Sequence, residues 1–147
     1  MARPTGPIRD QHRDLLAGLE ELRRAGDRAS AEEPTLSAEA ASRCVAFLRE
    51  RLIPHGRADE TSLYPAVARL LGSPEVTRSM TRDHFEVGHL IVELEAAVAA
   101  RDVLSMRRLL YGLYHLIRVH IAKEEEIYLP LLDEVCLPAT LRSCSGT

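Results

Sequence analysis

No stretch of the chain approaches the roughly 18 to 20 consecutive apolar residues that a membrane-spanning helix needs, and the start, Met1-Ala2-Arg3-Pro4-Thr5-Gly6-Pro7, lacks the apolar run of a secretory signal. The expected setting is the cytoplasm, with no membrane partner. Basic charge is not in excess either. Nineteen Lys and Arg stand against 22 Asp and Glu, a formal net charge of −3 with the signs interspersed, so no broad surface is offered to a phosphate backbone and nucleic acid is not an expected partner. Cysteine is scarce: Cys44, Cys136 and Cys144 form no C-x-x-C pair and lie far from any histidine cluster, which argues against a zinc ribbon or a thioredoxin-like site. They read as one buried thiol and two tail thiols. Period-two alternation is missing and β-branched residues are few, so strands are not expected.

What is present is helical periodicity. The 147 residues, 46% apolar, are enough for one continuous core but few for two. The first segment runs from about Pro7 to Ala25 and stops at Gly26-Asp27. Ser37 is expected to cap a long second helix that reaches about Leu71. Gly72-Ser73-Pro74 closes it and opens the third, with Ser73 as cap and Pro74 in the first helical position. The third ends near Ala100. Asp102 caps the fourth, which runs to about Val135. Short connections predict an all-α, up-down antiparallel four-helix bundle over residues 1–136, followed by a loosely held tail, residues 137–147. Pro54, Pro65 and Pro130 fall inside helices and should kink or locally open them, because proline lacks the N–H and crowds the preceding turn.

The core stripes carry an anomaly. His12, Leu15, Leu19 and Leu22 repeat at seam spacing in the first helix, and Val45, Leu48, Leu52, His55, Asp59 and Ser62 in the second. Met80, His84, Val87, Ile91, Leu94 and Val98 do so in the third, and Leu113, Ile117, His120, Glu124, Ile127 and Leu131 in the fourth. Every helix therefore has a histidine on its buried stripe, and two add an acid one turn on. A buried carboxylate without a partner costs several kcal/mol, so it is neutralised, paired or bound to metal. Gathering six polar groups at one level also forgoes about 1.5 to 3 kcal/mol for each Leu-like side chain displaced. A cation of charge two or three offsets this better than hydrogen bonds do.

Helix geometry selects among neighbouring acids. A residue four positions on is rotated by about 40° and one five positions on by about 140°, which favours Asp59 over Glu60 after His55 and Glu124 over Glu125 after His120. His89 and His115, five residues from His84 and His120, turn away from the seam. An internal echo strengthens the pattern. The segment from His55 to Pro65 matches that from His120 to Pro130, with histidine, two acids and proline in register, which is how carboxylate-bridged two-metal bundles present matching ligands from facing helices.

These residues resemble the hemerythrin-like, or HHE cation-binding, domain family: a histidine, then H-x-x-x-E, then a histidine, then H-x-x-x-E, matched by His12, His55 with Asp59, His84, and His120 with Glu124. The resemblance covers about residues 8 to 134, including the Leu-Tyr-Pro and Tyr-Leu-Pro endings. It implies a four-helix bundle with two non-heme iron ions, oxo- or hydroxo-bridged, the ions sharing Asp59 and Glu124, with His12 and His55 on one and His84 and His120 on the other. Glu60 and Glu125 are the alternative acids. The family's members bind or sense oxygen, peroxide, nitric oxide, iron or redox state. A small gas or peroxide ligand is thus the expected partner, and a binding or sensing module is favoured over a peroxide-decomposing or oxidase enzyme and over a metal-free interaction bundle. Two features depart from the family: aspartate stands at position 59 where glutamate is usual, and Gly88 stands where oxygen carriers are expected to have a second third-helix histidine.

Overall fold

Residues 4–135 are described by the computed structural model, and their regular structure is entirely helical. Four helices account for it: α1 (Gly6–Arg28), α2 (residues 34–71), α3 (residues 74–100) and α4 (residues 103–135). None of the described helices is long and apolar enough to cross a membrane. The expected tail, with Cys136 and Cys144, lies outside the described residues.

Two caps follow the chemistry that the sequence predicts. Ser73 Oγ accepts from the Glu75 N–H at 3.2 Å ahead of Pro74, and Asp102 accepts from the Ser105 N–H at 3.1 Å. Gly72, at φ 73°, ends α2 in the left-handed conformation that glycine adopts without strain. Two other boundary expectations are corrected. Gly26 does not stop α1, which continues to Arg28; a Cβ on Gly26 would lie 2.9 Å from the Tyr111 ring of α4, so glycine is there for close helix approach. Nor does Ser37 cap α2, which starts at Pro34; the Ser37 hydroxyl instead accepts from the Ser30 N–H at 3.0 Å and ties down the α1–α2 connection.

The three internal prolines act through widened turns rather than sharp breaks. Immediately before each, the helix makes one π-type turn with i→i+5 hydrogen bonding: Leu48–Leu52, Asp59–Leu63 and Glu124–Tyr128, closed by Ile53 N–H to Leu48 O, Tyr64 N–H to Asp59 O and Leu129 N–H to Glu124 O. Drawing one more residue into the turn relieves the clash of the proline ring with the carbonyl four residues back. It also rotates everything beyond by roughly 100°, the angle of one helical residue. Ser62 and Ile127, expected on the seam, are therefore exposed, and Leu63, Tyr64, Tyr128 and Leu129 are buried instead.

The apolar interior forms two bodies. The larger includes Leu15, Leu19 and Leu22 of α1, Cys44 and Leu48 of α2, Ile91 and Leu94 of α3, and Leu110, Leu113 and Ile117 of α4. The smaller comprises Leu63, Tyr64, Val67, Met80, Tyr128 and Leu129. Along α2 and α4 the segments between them, 55–60 and 124–125, carry the polar residues, so a polar layer separates the two apolar bodies. Cys44 matches the buried-thiol expectation; burial pushes its thiol up to about 11, and it takes no part in the polar layer.

Candidate metal centre

Each helix contributes to the polar layer where its apolar stripe is interrupted. His12 comes from α1, His55 and Asp59 from α2, His84 from α3, and His120 and Glu124 from α4. His12, Asp59, His120 and Glu124 are buried, Glu124 completely so at 0% exposure. The side chains form two groups that could hold a metal ion: His12, His55 and Glu124, and Asp59, His84, His120 and Glu124, with ligand atoms within 4.8 Å of one another in each. Glu124 belongs to both, its Oε2 lying 2.9 Å from His12 Nε2 and its Oε1 3.1 Å from His120 Nε2. Asp59 Oδ2 also lies 3.2 Å from His55 Nε2, between the groups. All six residues that the sequence singled out as ligands are thus brought together.

The outer nitrogen of every histidine meets an acceptor. His12 Nδ1 lies 2.6 Å from Glu125, His84 Nδ1 2.9 Å from Glu60, His120 Nδ1 3.0 Å from Asp83 and His55 Nδ1 3.1 Å from the Gln11 carbonyl oxygen. An acceptor there holds the ring proton on Nδ1 and leaves the Nε2 lone pair facing inward, the arrangement in which imidazole binds metal. The acceptors are anchored in turn. Arg9 pairs with Glu125 and, at 3.1 Å, with Asp133; Lys123 pairs with Asp83; Thr81 donates to Glu60 at 2.9 Å. Glu60 and Glu125, the alternative ligands in the sequence, occupy these outer positions. A five-residue step from His55 and from His120 turns them to the flank, where each meets the histidine of a neighbouring helix.

Without a cation the interior is electrostatically incomplete. His84 and His120 Nε2 approach to 2.9 Å and His12 and His55 Nε2 to 3.1 Å, lone pair toward lone pair. Asp59 Oδ2 and Glu124 Oε2 are buried with no hydrogen-bond donor, although Glu124 Oε2 is close enough to His12 for an ion pair. Burial, then the neighbouring Glu124, pushes the Asp59 carboxyl up to about 8. Burial also opposes ionisation of Glu124, but the adjacent His12 and His120 rings and the Tyr64 hydroxyl outweigh it and hold this carboxylate below the usual range. Burial and the nearby His12 push His55 down to about 4, and burial with His120 lowers His84. For His12 burial is outweighed by the carboxylates of Glu124 and Glu125, and its pKa lies above the ordinary value. Orphaned carboxylate oxygens and converging lone pairs fit a bound metal ion. The donor set, imidazole nitrogen with carboxylate oxygen, suits iron among other first-row metals.

A pocket of about 190 Å³ opens beside this layer, lined by Ile53, Val87, Ile117 and Ile121 together with His55, His84 and His120. It gives a small apolar or diatomic molecule a path to the histidine rings.

Several residues at the site were not anticipated. Gln11 and Asp83 immediately precede His12 and His84, yet Asp83 serves His120 across the bundle, which helix phase does not foretell. Tyr64 was missed because the widened turn shifts it inward; its hydroxyl donates to Glu124 Oε1 at 2.7 Å. Its signal was its place in the Leu-Tyr-Pro ending of the echo. His89 and His115 are exposed. Their replacement by alanine is expected to leave metal content unchanged in elemental analysis. A loss comparable to that from His120→Ala would place the ligands on another face.

A family model described as hemerythrin HHE cation binding domain matches residues 3–132. Searches of curated proteins and of solved structures return no match to the chain.

Proposed function

The chain belongs to the hemerythrin HHE cation-binding domain family, and on that premise we propose that it holds two non-heme iron ions and uses them to bind or sense a small oxidant or gas such as dioxygen, peroxide or nitric oxide. In this reading His12 and His55 serve one ion, His84 and His120 the other, and Asp59 and Glu124 are shared. The observation that carries it is the convergence of four histidine Nε2 atoms on two buried carboxylates whose Asp59 Oδ2 and Glu124 Oε2 lack a hydrogen-bond donor. We read the helices as an up-down antiparallel bundle, supported by contacts of His12 with Glu125 and of Gly26 with Tyr111 along α1 and α4.

Bound iron would supply redox chemistry and a coordination position for the incoming molecule. The protein's part is to fix the four rings through Glu60, Asp83, Gln11 and Glu125, to exclude bulk water with the two apolar bodies, and to admit the ligand through the pocket at Val87 and Ile117. A binding role is favoured because no acid or base in the polar layer is free of an ordering partner except the two orphaned oxygens, which the metal would take.

Addition of nitric oxide or azide to iron-loaded protein is expected to change its absorption spectrum saturably and reversibly. Sustained peroxide consumption well above that of the same concentration of free iron would assign an enzyme instead. No spectral response to either would overturn the ligand-binding reading.

A further inference from the structure

Tyr64 sits at the site with no role yet assigned. It is 3% exposed, so its hydroxyl has no access to bulk water and must be satisfied inside the polar layer. Its oxygen lies 2.7 Å from Glu124 Oε1, 3.1 Å from His120 Nε2 and 3.2 Å from His84 Nε2. The ring stacks on His84 with centroids 5.5 Å apart and planes 28° apart, which fixes the direction of the C–O bond.

One phenol carries one proton. It can satisfy Glu124 Oε1 but leaves the lone pairs of both histidines facing the phenol oxygen. A hydrogen-bonding role therefore accounts for one of the three contacts, whereas a cation at the point of convergence accounts for all of them. Gly88, one turn beyond His84, cannot compete for that position, since it has no side chain and even a Cβ there would meet nothing within 4 Å.

The other half of the site has no counterpart. In the internal echo His55 aligns with His120 and Tyr64 with Leu129, which is fully buried. The repeat thus carries a phenol in its first copy and an alkyl side chain at the matching place in its second.

Building on the two-iron reading above, we propose that Tyr64 is itself a metal ligand, binding through its phenolate oxygen the ion held by Asp59, His84, His120 and Glu124. On binding, the phenol O–H bond breaks, an oxygen–metal bond forms and the proton passes to solvent; nothing is oxidised or reduced. The two ions become inequivalent. The one on the His12 and His55 side keeps fewer protein ligands and so offers the position for an exogenous molecule; the pocket reaches both ions alike, lined by His55 and by His84 and His120.

The test is spectroscopic and is made on the full-length, ferric-loaded chain. Phenolate bound to ferric iron gives a broad visible charge-transfer band, and resonance Raman excitation into it enhances tyrosine ring modes. Both are expected in the wild type, and the ring modes should shift when the protein is grown with ring-deuterated tyrosine. The Tyr64→Phe variant should lose both from the iron that it retains, band and ring modes being normalised to the iron measured in the same sample. The other three tyrosines are engaged elsewhere, Tyr111 with Asp27, Tyr114 with Glu20 and Tyr128 with the Val76 carbonyl, so labelling reports on Tyr64 even if the variant folds poorly. Iron-loaded wild type with no visible phenolate band, or a band that persists in Tyr64→Phe, overturns the proposal and leaves the two-iron reading standing. A wild type that holds no iron overturns both.

Discussion

Replacing Glu124 by glutamine should empty both halves of the centre, taking iron content from two ions per chain toward none. The side chain is fully buried and reaches both ligand groups, one oxygen toward His12 and the other toward His120. Glutamine keeps the shape but removes the charge, so each ion would lose part of its compensation in a layer where an unpaired charge costs several kcal/mol. By contrast His55→Ala removes a ligand from one group only and should leave about half of the metal. Elemental analysis after ferrous reconstitution measures both, with far-ultraviolet circular dichroism to show that the helices persist. Equal losses from Glu124→Gln and His55→Ala would mean that Glu124 does not serve two ions.

The second large effect is on stability. A preformed cluster of histidines and acids is costly until its cation arrives, and binding then adds to folding. With ligand at a thousand times its dissociation constant the gain is about 4 kcal/mol. For a chain of this size that corresponds to a rise in Tm on the order of 10 °C. Chelation should abolish it. The difference should also depend on pH. The Asp59 carboxyl, raised by burial and Glu124 to about 8, retains its proton in the folded metal-free protein, whereas the unfolded chain releases it near 3.8. The stability this supplies is therefore lost as pH rises toward 8. His55, lowered to about 4, acts in the opposite direction, but only below its ordinary value of 6.5. Between about pH 6.5 and 8 the metal-free protein should thus lose stability as pH rises through this one proton, while metal uptake displaces that proton. The gap between loaded and metal-free melting should widen over this range. A gap that is absent, or that narrows with pH, would place the cation outside the polar layer.

What could be read from the sequence follows from what helix periodicity and caps encode. Ser73 and Asp102 announce their helices because a side-chain oxygen ahead of an apolar-periodic run has one good partner, the free N–H of the first turn. The six residues of the polar layer stand out because histidine and acid on an apolar stripe are expensive. Beyond each widened turn, however, the pattern loses its phase. Ser62 and Ile127 fit the 3.6-residue repeat yet are exposed, and Tyr64 breaks it yet is buried. The prolines gave warning of a disturbance but not of its size, since one extra residue in a turn moves every later side chain to a different face.

Glu60 and Glu125 follow the regular repeat: five residues on, they turn away from the histidine that precedes them and reach the outer nitrogens of His84 and His12 on neighbouring helices. Pairings across the bundle, such as Asp83 with His120 and Gln11 with His55, depend on helix packing and have no signature in local spacing. Gly26 misled for the same reason, because the ring that fills its missing Cβ belongs to Tyr111, 85 residues on.

The number of ions that the polar layer accepts distinguishes a two-iron centre from any other use of these six residues. Protein stripped by a chelator can be titrated anaerobically with ferrous iron, desalted and analysed for metal and protein, with zinc and manganese measured in the same samples. Saturation at two irons per chain is the predicted result. Saturation at one ion, or retention of none, would contradict it, because Asp59 and Glu124 would then be shared by nothing.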